Sequence, residues 1–447
     1  CIDKIFFHFN YNSKFKIQNS KLQQKNKKAL WSILLIFSLT SSFFAGHLQT
    51  FFYLFVFTWT YFLARWIQYG KIFNILFVFL IFNILFLILS SIQWITTLQL
   101  ISLSARSIDI PDFNNPGWFI PWQHLIQFVV PDFFGNPTTL NYWGVWNYGE
   151  LVGYVGIIPL ILALFSLFFR RDKKTFFFGT LLFLSLIFSL PTFFAKVPYL
   201  LKIPFLDTAQ PTRLLFMITF SLAILSTLGL DYLARIKRKI IIFYPLDFVT
   251  IIFGFLWVFI PEENSLVVKS NLRLPTLLLA AATIIFSFLV LFPKKNKLST
   301  SIYIIIIGVT AFDLFRFGWK FLPFTQKTYL FPSTSTISFL QKNVGTFRIM
   351  SEDSRILPPN FSAIYKLQSI DGYDPLYLLR YGELIAASER NEANIDSPFG
   401  FNRIITPHRF DSKIVDLLGV KFILSLSDLD SPKLKKVFQE GATRIYQ

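Results

Sequence analysis

The sequence contains a single cysteine, Cys1, which excludes an internal disulfide. It also lacks the spacings GxxxxGKS or GxxxxGKT, GxGxxG, HExxH and CxxC. Nucleotide-binding, zinc-protease and thiol-redox functions are therefore left without a supporting motif. No internal repeat of solenoid length is present. The information has to come from the apolar residues and from the few charged residues between them.

Apolar residues dominate the chain: they make up 53% of its 447 residues, Phe occurs 57 times and mean hydropathy is +0.52. Soluble domains are less apolar than this. Apolar stretches recur at about the 17 to 25 residues that cross ~30 Å of hydrocarbon as a helix. The sequence thus predicts an all-α polytopic membrane protein with about nine transmembrane helices. The predicted spans are 29–45, 48–64, 72–92, 151–169, 175–191, 212–234, 240–260, 275–292 and 300–317.

The net charge of +18 is unevenly distributed. Residues 318–447 hold 16 Lys and Arg against 13 Asp and Glu, whereas residues 1–317 hold 27 against 12. In the first part the basic residues cluster in short connectors at 170–174, 235–239 and 294–297, which is typical of cytoplasmic loops. This pattern indicates a lipid bilayer as the partner and argues against nucleic acid.

Alternating the spans from a cytoplasmic basic segment, 1–28, predicts the domain organisation. The transmembrane domain covers 29–317, with a large external loop at 93–150. The last segment, 318–447, is a small extracytoplasmic α/β domain, in which FRIMS, VKFILSL and TRIYQ are candidate strands and DPLYLLRYGELIAASER is a candidate helix. A multi-pass protein of the plasma membrane is expected. Because the chain begins with Cys and stops at Gln447 soon after a strand starts, it is expected to be a fragment at both ends.

Two carboxylates, Asp132 and Glu150, stand in the polar and aromatic loop 121–156. A carboxylate at the membrane surface can act as a general base on an acceptor hydroxyl or hold a divalent cation. Structural alternatives exist for both residues. Asp132 can cap a turn in PDFFGNP, and Glu150 can sit at the amino-terminal end of the helix predicted to start at 151, where the helix dipole favours an anion.

Other polar and aromatic residues are candidates for substrate binding. His47 and Gln49, in the tight junction AGHLQT, can contact a lipid phosphate or a sugar, or can close a helix end by a hydrogen bond. His124 lies on a candidate interfacial helix beside Trp122, where a structural role is the alternative. Side chains that can bind or stack on sugar rings, although an aromatic belt has the same composition, are Asn141, Tyr142, Trp143, Asn147 and Tyr148.

Arg213 is a basic residue at the predicted outer end of the span 212–234, against the positive-inside trend. Binding of a phosphate explains it, and snorkelling or pairing with Asp207 is the alternative. Two acids inside spans are predicted to pair with a base on the same helix, Asp231 with Arg235 and Asp313 with Arg316.

Several ordered phrases resemble the bacterial YfhO family of multi-pass membrane proteins. They are spread over about 380 residues and are AGHLQTFFY at 45–53, PWQHLIQFVVPDFFGNP at 121–137, NYWGVWNYGELVGYVGIIPL at 141–160, PFLDTAQPTRLLFMITFSLAILSTLGLDYL at 204–233, SIDGYDPLYLLRYGEL at 369–384 and LLGVKFIL at 417–424. The resemblance implies a fold of the GT-C glycosyltransferase type. It also implies transfer of a sugar from a polyprenyl-phosphate donor to a cell-envelope glycan or polymer on the outer face.

In GT-C enzymes the main catalytic carboxylate lies in the first external loop. The resemblance therefore implies that the base precedes Cys1, and that Glu150 and Asp132 support the site. Two other functions stay open. A transporter or lipid flippase would need paired, broken helices with buried ionisable residues, and a non-catalytic envelope scaffold would use 318–447 as a binding module.

Overall fold

The computed structural model describes residues 1–11, 20–70, 73–108, 113–203, 206–292, 297–322 and 324–447. Residues 12–19 of the predicted basic segment and 294–296 of the last basic connector lie outside these ranges. The chain is 62% helical. Its contacts divide it into two units, Cys1–Phe86 with Phe113–Pro323, and Leu87–Asp112 with Phe324–Gln447. The second unit begins close to the predicted boundary at 318, but its segment Leu87–Asp112 was not anticipated.

Helices build the first unit, and each of the nine predicted apolar segments overlaps one of them. The helices are α1 (Ile2–Tyr11), α2 (Ser20–Phe44), α3 (Leu48–Gln68), α4 (Phe73–Leu103, shared with the second unit), α5 (Tyr148–Leu151), α6 (Ile157–Phe169), α7 (Lys173–Ser189), α8 (Phe193–Leu200), α9 (Leu215–Arg235), α10 (Phe243–Val258), α11 (Ser265–Leu291) and α12 (Lys297–Trp319).

Five helices of the described residues are long and apolar enough to cross a membrane: α4, α9, α10, α11 and α12. The candidate spans of α9 and α10 include the 3-10 turn before each helix, and that of α12 begins at Thr300. The pair α7 and α8, bent by 62°, makes a sixth if it counts as one span. The apolar part of α2 and all of α6 are shorter. At 1.5 Å per residue the 13 residues of α6 rise only about 20 Å, less than the ~30 Å of a hydrocarbon core. The helices thus indicate a membrane protein, and nine full spans stay a prediction.

Helix α6 lies in the interior of the first unit. All its residues from Ile157 to Ala163 are buried, and it packs against α9, α10 and α11. A helix that is apolar on every side is expected in such a position. It approaches α9 closely at Gly229, where a Cβ atom would stand 2.1 Å from the carbonyl oxygen of Leu162. Only glycine allows the two backbones to come this near.

The start of α6 differs from the prediction, which began this helix at 151. The chain stays irregular until Gly156, whose φ of +95° favours glycine, and the helix starts at Ile157. The Asp313 carboxylate of α12 accepts the Ile157 N–H at 3.2 Å and the Tyr154 hydroxyl at 2.7 Å. Asp313 therefore has the structural role that the sequence suggested, but its hydrogen bonds cap α6 and Arg316 influences it only through its charge.

Loop 121–156 contacts one end of the helix bundle in the first unit. The side chain of Asn271, near the start of α11, donates to the Asp132 carbonyl at 2.7 Å, and Lys320, just after α12, pairs with the Asp132 carboxylate. Arg213, in the turn before α9, pairs with Glu150 at 2.6 Å. The starts of α9 and α11 and the end of α12 therefore lie on the same side of the bundle.

The opposite helix ends are joined by a second set of ion pairs. They connect α1, the ends of α3, α6 and α9, and the start of α7. The pairs are Arg65 with Asp3 at 2.7 Å, Lys174 with Asp3 at 3.1 Å, Arg170 with Asp231 at 2.9 Å and Arg235 with Asp231 at 2.5 Å. The predicted pairing of Asp231 with Arg235 is confirmed.

The second unit is a mixed α/β structure. A five-stranded sheet has the order β2, β1, β5, β7, β6; β1 is parallel to β2 and β5, and β7 is antiparallel to β5 and β6. Its elements are α13 (Ser335–Asn343), β1 (Arg348–Ser351), β2 (Gln368–Ser369), β3 (Gly372–Tyr373), α14 (Leu379–Arg390), β4 (Ile404–Ile405), α15 (Lys413–Leu417), β5 (Val420–Ser425), β6 (Lys436–Glu440) and β7 (Thr443–Tyr446).

The three candidate strands correspond to β1, β5 and β7, which confirms them. The candidate helix corresponds to α14 but begins at Leu379, not at the Asp-Pro pair where the sequence suggested a start. The Asp374 carboxylate instead accepts the Leu376 N–H at 2.7 Å in a turn that precedes the helix. Ile349, Phe422 and Ile445, one from each of the confirmed strands, lie in one buried core.

We expect Gly229→Ala to destabilise the protein, because a methyl group at 2.1 Å from a backbone oxygen forces α6 and α9 apart. Overpacking of this kind costs about 1–3 kcal/mol. The measurement is the apparent melting temperature of the purified protein in detergent. Gly254→Ala on α10, where nothing lies within 4 Å, is the matched control and should leave that temperature unchanged or raise it. Equal melting temperatures for the two variants would contradict the close packing of α6 on α9.

Candidate functional site

Loop 121–156 is packed into the core of the first unit. It contains a 3-10 helix at Trp122–Phe128, a 3-10 turn at Pro137–Thr139 and the short helix α5. Its side chains Val130, Phe133 and Leu151 belong to the same buried cluster as α6. Polar groups buried in such a cluster are expected to be hydrogen-bonded, so the partners of each predicted site residue show what that residue does.

His124 is fully buried and joins two parts of the loop. Its Nε2 accepts the backbone N–H of Val145 at 3.3 Å, and its Nδ1 lies 2.5 Å from Oε1 of Gln127. Since Nε2 accepts, the proton resides on Nδ1 and is donated to Gln127. Burial lowers the pKa of His124, although the bond to Gln127 acts in the opposite direction, so the ring is neutral near pH 7. These contacts favour the structural alternative for this residue.

Asp132 is also buried, and its carboxylate is saturated. Oδ1 accepts the Tyr148 hydroxyl at 2.7 Å and the Asn136 amide at 2.8 Å, while Oδ2 pairs with Lys320. Burial and the adjacent Asp132 carboxylate raise the pKa of Tyr148, which keeps its hydroxyl protonated as a donor. With these partners Asp132 holds the loop to the end of α12. It has no free oxygen directed to a substrate, so the structural alternative again fits better.

The two predicted sugar-binding amides close turns within the loop. The Asn141 side-chain oxygen accepts the Asn136 N–H at 2.9 Å and the Thr139 hydroxyl at 2.7 Å. The Asn147 side-chain oxygen accepts the Gly149 N–H at 3.2 Å and so caps α5. Both amides remain partly accessible through their NH₂ groups, but their carbonyl oxygens are already used to shape the loop.

The aromatic candidates are divided between packing and exposure. The Tyr142 hydroxyl donates to the Val145 carbonyl at 2.5 Å, and Trp143 packs edge to face on Phe134 with ring centroids 4.8 Å apart. Trp146, by contrast, is 71% exposed. Tyr142 and Trp143 therefore stabilise the loop, whereas Trp146 and also Trp122, which is 56% exposed, offer free ring faces.

His47 closes the start of α3. Its Nδ1 accepts the Thr50 N–H at 3.2 Å and lies 2.9 Å from the Thr50 hydroxyl. The side chain is thus the amino-terminal cap of this helix. The predicted alternative to substrate binding, a hydrogen bond at the helix end, is confirmed for His47.

Gln49 connects α3 to the segment before α9. Its Nε2 donates to the Gln210 carbonyl at 2.6 Å and to the Tyr53 hydroxyl at 3.0 Å, and its Oε1 accepts the Gln210 N–H at 3.3 Å. The side chain of Gln210 in turn donates to Oε2 of Glu150 at 2.6 Å. Gln49 therefore positions Gln210, and the side chain of Gln210 in turn holds the Glu150 carboxylate.

Glu150 and Arg213 form the centre of this group. Nη1 of Arg213 lies 2.6 Å from Oε1 of Glu150, and the Thr212 hydroxyl donates to Oε2 at 3.1 Å. Gln49, Glu150, Gln210, Thr212 and Arg213 are called here the Glu150 cluster. The predicted alternative pairing of Arg213 with Asp207 is corrected to Glu150. The Arg213 side chain is 29% exposed and carries five N–H donors, so donors remain for an anionic ligand.

A large apolar groove borders the Glu150 cluster. It has a volume of about 2020 Å³ and is lined by α3, α7, α8 and α9, including Tyr53, Phe57, Phe177, Leu181, Tyr199 and Leu214. Pro211 and Leu214, also in the lining, flank Thr212 and Arg213 in the sequence. Pockets for small molecules measure about 300–1,000 Å³. A groove of this size suits a lipid chain better.

The two predicted carboxylates therefore have different surroundings, although their chain segments adjoin. Tyr148 and Glu150, two positions apart on α5, point to different partners: Tyr148 contacts Asp132, and Glu150 contacts Arg213. The sequence did not predict a role for four polar residues, because each contacts its partner across more than 50 residues of chain. These are Gln210, Thr212, Asn271 and Lys320. A polar residue at a helix end is the only signal that these positions carry.

Among the described residues no three His, Cys, Asp or Glu side chains come together in a way that would hold a metal ion. Comparison with protein-family models, with curated proteins and with solved structures gave no match to this chain. The case for any function therefore rests on the geometry of the Glu150 cluster and the groove.

We expect Asp132→Asn to lower stability by about 1–3 kcal/mol, since it leaves the partly buried ammonium of Lys320 without its carboxylate. The readout is the apparent melting temperature in detergent. Adding Lys320→Gln should restore part of the loss, because the uncompensated charge is then gone. Asp207→Asn, which removes a carboxylate that forms no ion pair with another described residue, serves as the control. If Asp132→Asn melts at the same temperature as this control, Asp132 does not hold the loop.

Proposed function

We propose that this protein is a multi-pass membrane protein and a glycosyltransferase of the YfhO type. It would bind a polyprenyl-phosphate-linked sugar beside the Glu150 cluster. The acceptor would be a cell-envelope glycan or polymer on the outer face. The observation that carries the proposal is that the Glu150 cluster, with its partly exposed Arg213, adjoins the large apolar groove, because Pro211 and Leu214 on either side of Thr212 and Arg213 line that groove.

The chemistry of a lipid-linked phosphate matches the two parts of this site. An isoprenoid chain needs an apolar surface, which the walls of the groove supply. The phosphate needs cationic N–H donors, and an Arg guanidinium provides them in a fork that suits phosphate oxygens. Trp146, which is exposed on the same loop, is available to stack on a sugar ring.

In this proposal Glu150 positions Arg213 and does not remove a proton. Its two carboxylate oxygens already accept from Arg213, Gln210 and Thr212, and its side chain is only 17% exposed. A carboxylate bound in this way fixes the direction of the guanidinium and lowers the entropy that phosphate binding would cost. A general base would need a free oxygen within reach of the acceptor.

We further propose the orientation in which all nine apolar segments span the membrane and loop 93–150 and segment 318–447 lie outside. The two sets of helix ends support it. Loop 121–156 gathers the starts of α9 and α11 and the end of α12, whereas the basic connector 170–174 lies with the ends of α3 and α9. Strict alternation of the spans yields these same two groups, with the basic one facing the cytoplasm.

Arg213→Ala is expected to reduce sugar transfer about 10- to 100-fold, because it removes one or two charge-assisted hydrogen bonds to the phosphate. The assay follows radiolabelled sugar from a polyprenyl-phosphate donor in membranes of cells that express the intact gene, so that the expected base is included. Glu150→Gln should give a smaller loss, because Arg213 is retained but no longer held by an ion pair. Lys202→Ala, an exposed basic residue upstream of the cluster, is the matched control. Full transfer by Arg213→Ala, or no transfer by the unchanged protein from any such donor, would sink the proposal.

Labelling of introduced cysteines tests the orientation. Cys1→Ser removes the only native thiol, and Thr139→Cys, Lys237→Cys and Asn394→Cys each add one at a loop or surface position. A membrane-impermeant maleimide applied to intact cells should label Thr139→Cys and Asn394→Cys, and should label Lys237→Cys only after the cells are opened. Labelling of Lys237→Cys in intact cells would reverse the proposed orientation.

A further inference from the structure

The end of the groove farthest from the Glu150 cluster is lined by charged residues, in contrast to its apolar walls. Five basic side chains border it, against two carboxylates, Asp172 and Asp231. The basic residues, from the end of α3 and the connector into α7, are Arg65, Arg170, Arg171, Lys173 and Lys174. This basic end of the groove therefore carries an excess of positive charge beside an apolar surface.

Some of this charge is neutralised within the protein. Arg65 is buried and pairs with Asp3 at 2.7 Å, and Arg170 pairs with both Asp172 and Asp231. These pairs tie helices together, so their cations are already used. Lys174 also contacts Asp3, at 3.1 Å, but 43% of its side chain is exposed.

Arg171 and Lys173 have no such use. Both are exposed, and neither forms an ion pair with another residue in the described parts of the chain. They stand at the start of α7 on either side of Asp172, whose carboxylate accepts the Thr175 N–H at 2.8 Å and caps the helix. Arg171, Lys173 and the exposed part of Lys174 thus form a group of cations at the mouth of the groove, in which only Lys174 pairs with a carboxylate of the described residues.

The groove wall next to these cations is apolar and exposed. Phe176, Phe183 and Phe188 of α7 all line the groove, and all are at least 40% exposed. The distance along the helix from the first to the last is about 18 Å at 1.5 Å per residue. One leaflet of hydrocarbon is about 15 Å thick, half of the ~30 Å core. The wall therefore has the length of a single acyl chain that starts at the basic end.

We propose that the basic end of the groove binds an anionic glycerophospholipid. Its phosphate lies against Arg171, Lys173 and Lys174, and its acyl chains cover the phenylalanines of α7. Charge complementarity selects an anionic headgroup, and the exposed rings require the chains. The site is distinct from the Glu150 cluster, because it lies at the other end of the groove and uses none of the residues of that cluster.

The test measures how dioleoylphosphatidylglycerol changes the apparent melting temperature of the full 447-residue chain in detergent. We expect a saturable rise with this lipid and a much smaller one with dioleoylphosphatidylcholine, which has no net charge. Arg171→Ala combined with Lys173→Ala should raise the half-maximal lipid concentration about tenfold or more, since each basic residue near an anionic lipid surface contributes about 1 kcal/mol. Lys237→Ala combined with Arg238→Ala removes the same two residue types from another exposed basic connector and should have no effect.

A second pair of variants tests the acyl-chain part of the site and leaves every charge in place. Thr180→Trp on α7 fills the groove and should weaken the effect of dioleoylphosphatidylglycerol, whereas Thr227→Trp, on an exposed face of α9 outside the groove lining, should not. This pair decides the matter if the alanine variants fail to fold.

Several outcomes would overturn the proposal. If the two phospholipids raise the melting temperature equally, the site does not distinguish an anionic headgroup from a neutral one. If both pairs of alanine substitutions weaken the effect of dioleoylphosphatidylglycerol equally, the basic connectors attract anionic lipid in general. A full effect of glycerol 1-phosphate would indicate an anion site without acyl chains. Polyprenyl phosphate, the lipid part of the proposed donor, is expected to raise the melting temperature equally with and without Arg171 and Lys173. If the rise is lost when these two residues are replaced by alanine, this end of the groove binds the donor lipid instead.

Discussion

The hydrogen bonds that Asp313 accepts from Tyr154 and from the Ile157 N–H are the constraint on which the first unit depends. The first N–H groups of a helix have no partner inside the helix, and burial makes an unpaired group costly. Because the first seven residues of α6 are buried, its start must be capped from elsewhere in the protein. A carboxylate of α12 does this, so the position of α6 and the end of the preceding loop are set together.

The rest of loop 121–156 follows the same rule. Most of its buried polar side chains have a partner, either within the loop, as His124 does with Gln127, or on a helix end, as Asp132 does with Lys320. The buried indole N–H of Trp143 is an exception, because it has no hydrogen-bond partner among the described residues. These bonds leave most of the polar residues saturated. The Glu150 cluster differs, because the guanidinium of Arg213 is held by one carboxylate and still presents donors beside an apolar groove. One incompletely used cation, held in place by a carboxylate of the loop, suits a site for a lipid phosphate.

The groove has a charged group at each end and an apolar surface between them. This arrangement matches a bilayer, in which the lipid phosphates lie on the two sides of ~30 Å of hydrocarbon. At one end a carboxylate orients the free cation, whereas at the other the two cations nearest the apolar wall, Arg171 and Lys173, are unpaired among the described residues. An oriented cation suits a ligand that must be placed for chemistry, and unpaired cations suit a lipid that is only retained. The two proposed ligands follow from that difference.

The sequence alone determined the helical membrane character, the strands β1, β5 and β7 and the pair of Asp231 with Arg235, because apolar periodicity and contacts one helical turn apart are local properties. It also singled out Glu150 and Arg213. Only the tertiary structure shows that these two residues pair with each other. It also shows that Asp313 accepts a hydrogen bond from Tyr154 and that α6 begins at Ile157. Those outcomes depend on which buried groups meet across many tens of residues, and the cost of leaving any of them unpaired is settled only when the helices pack.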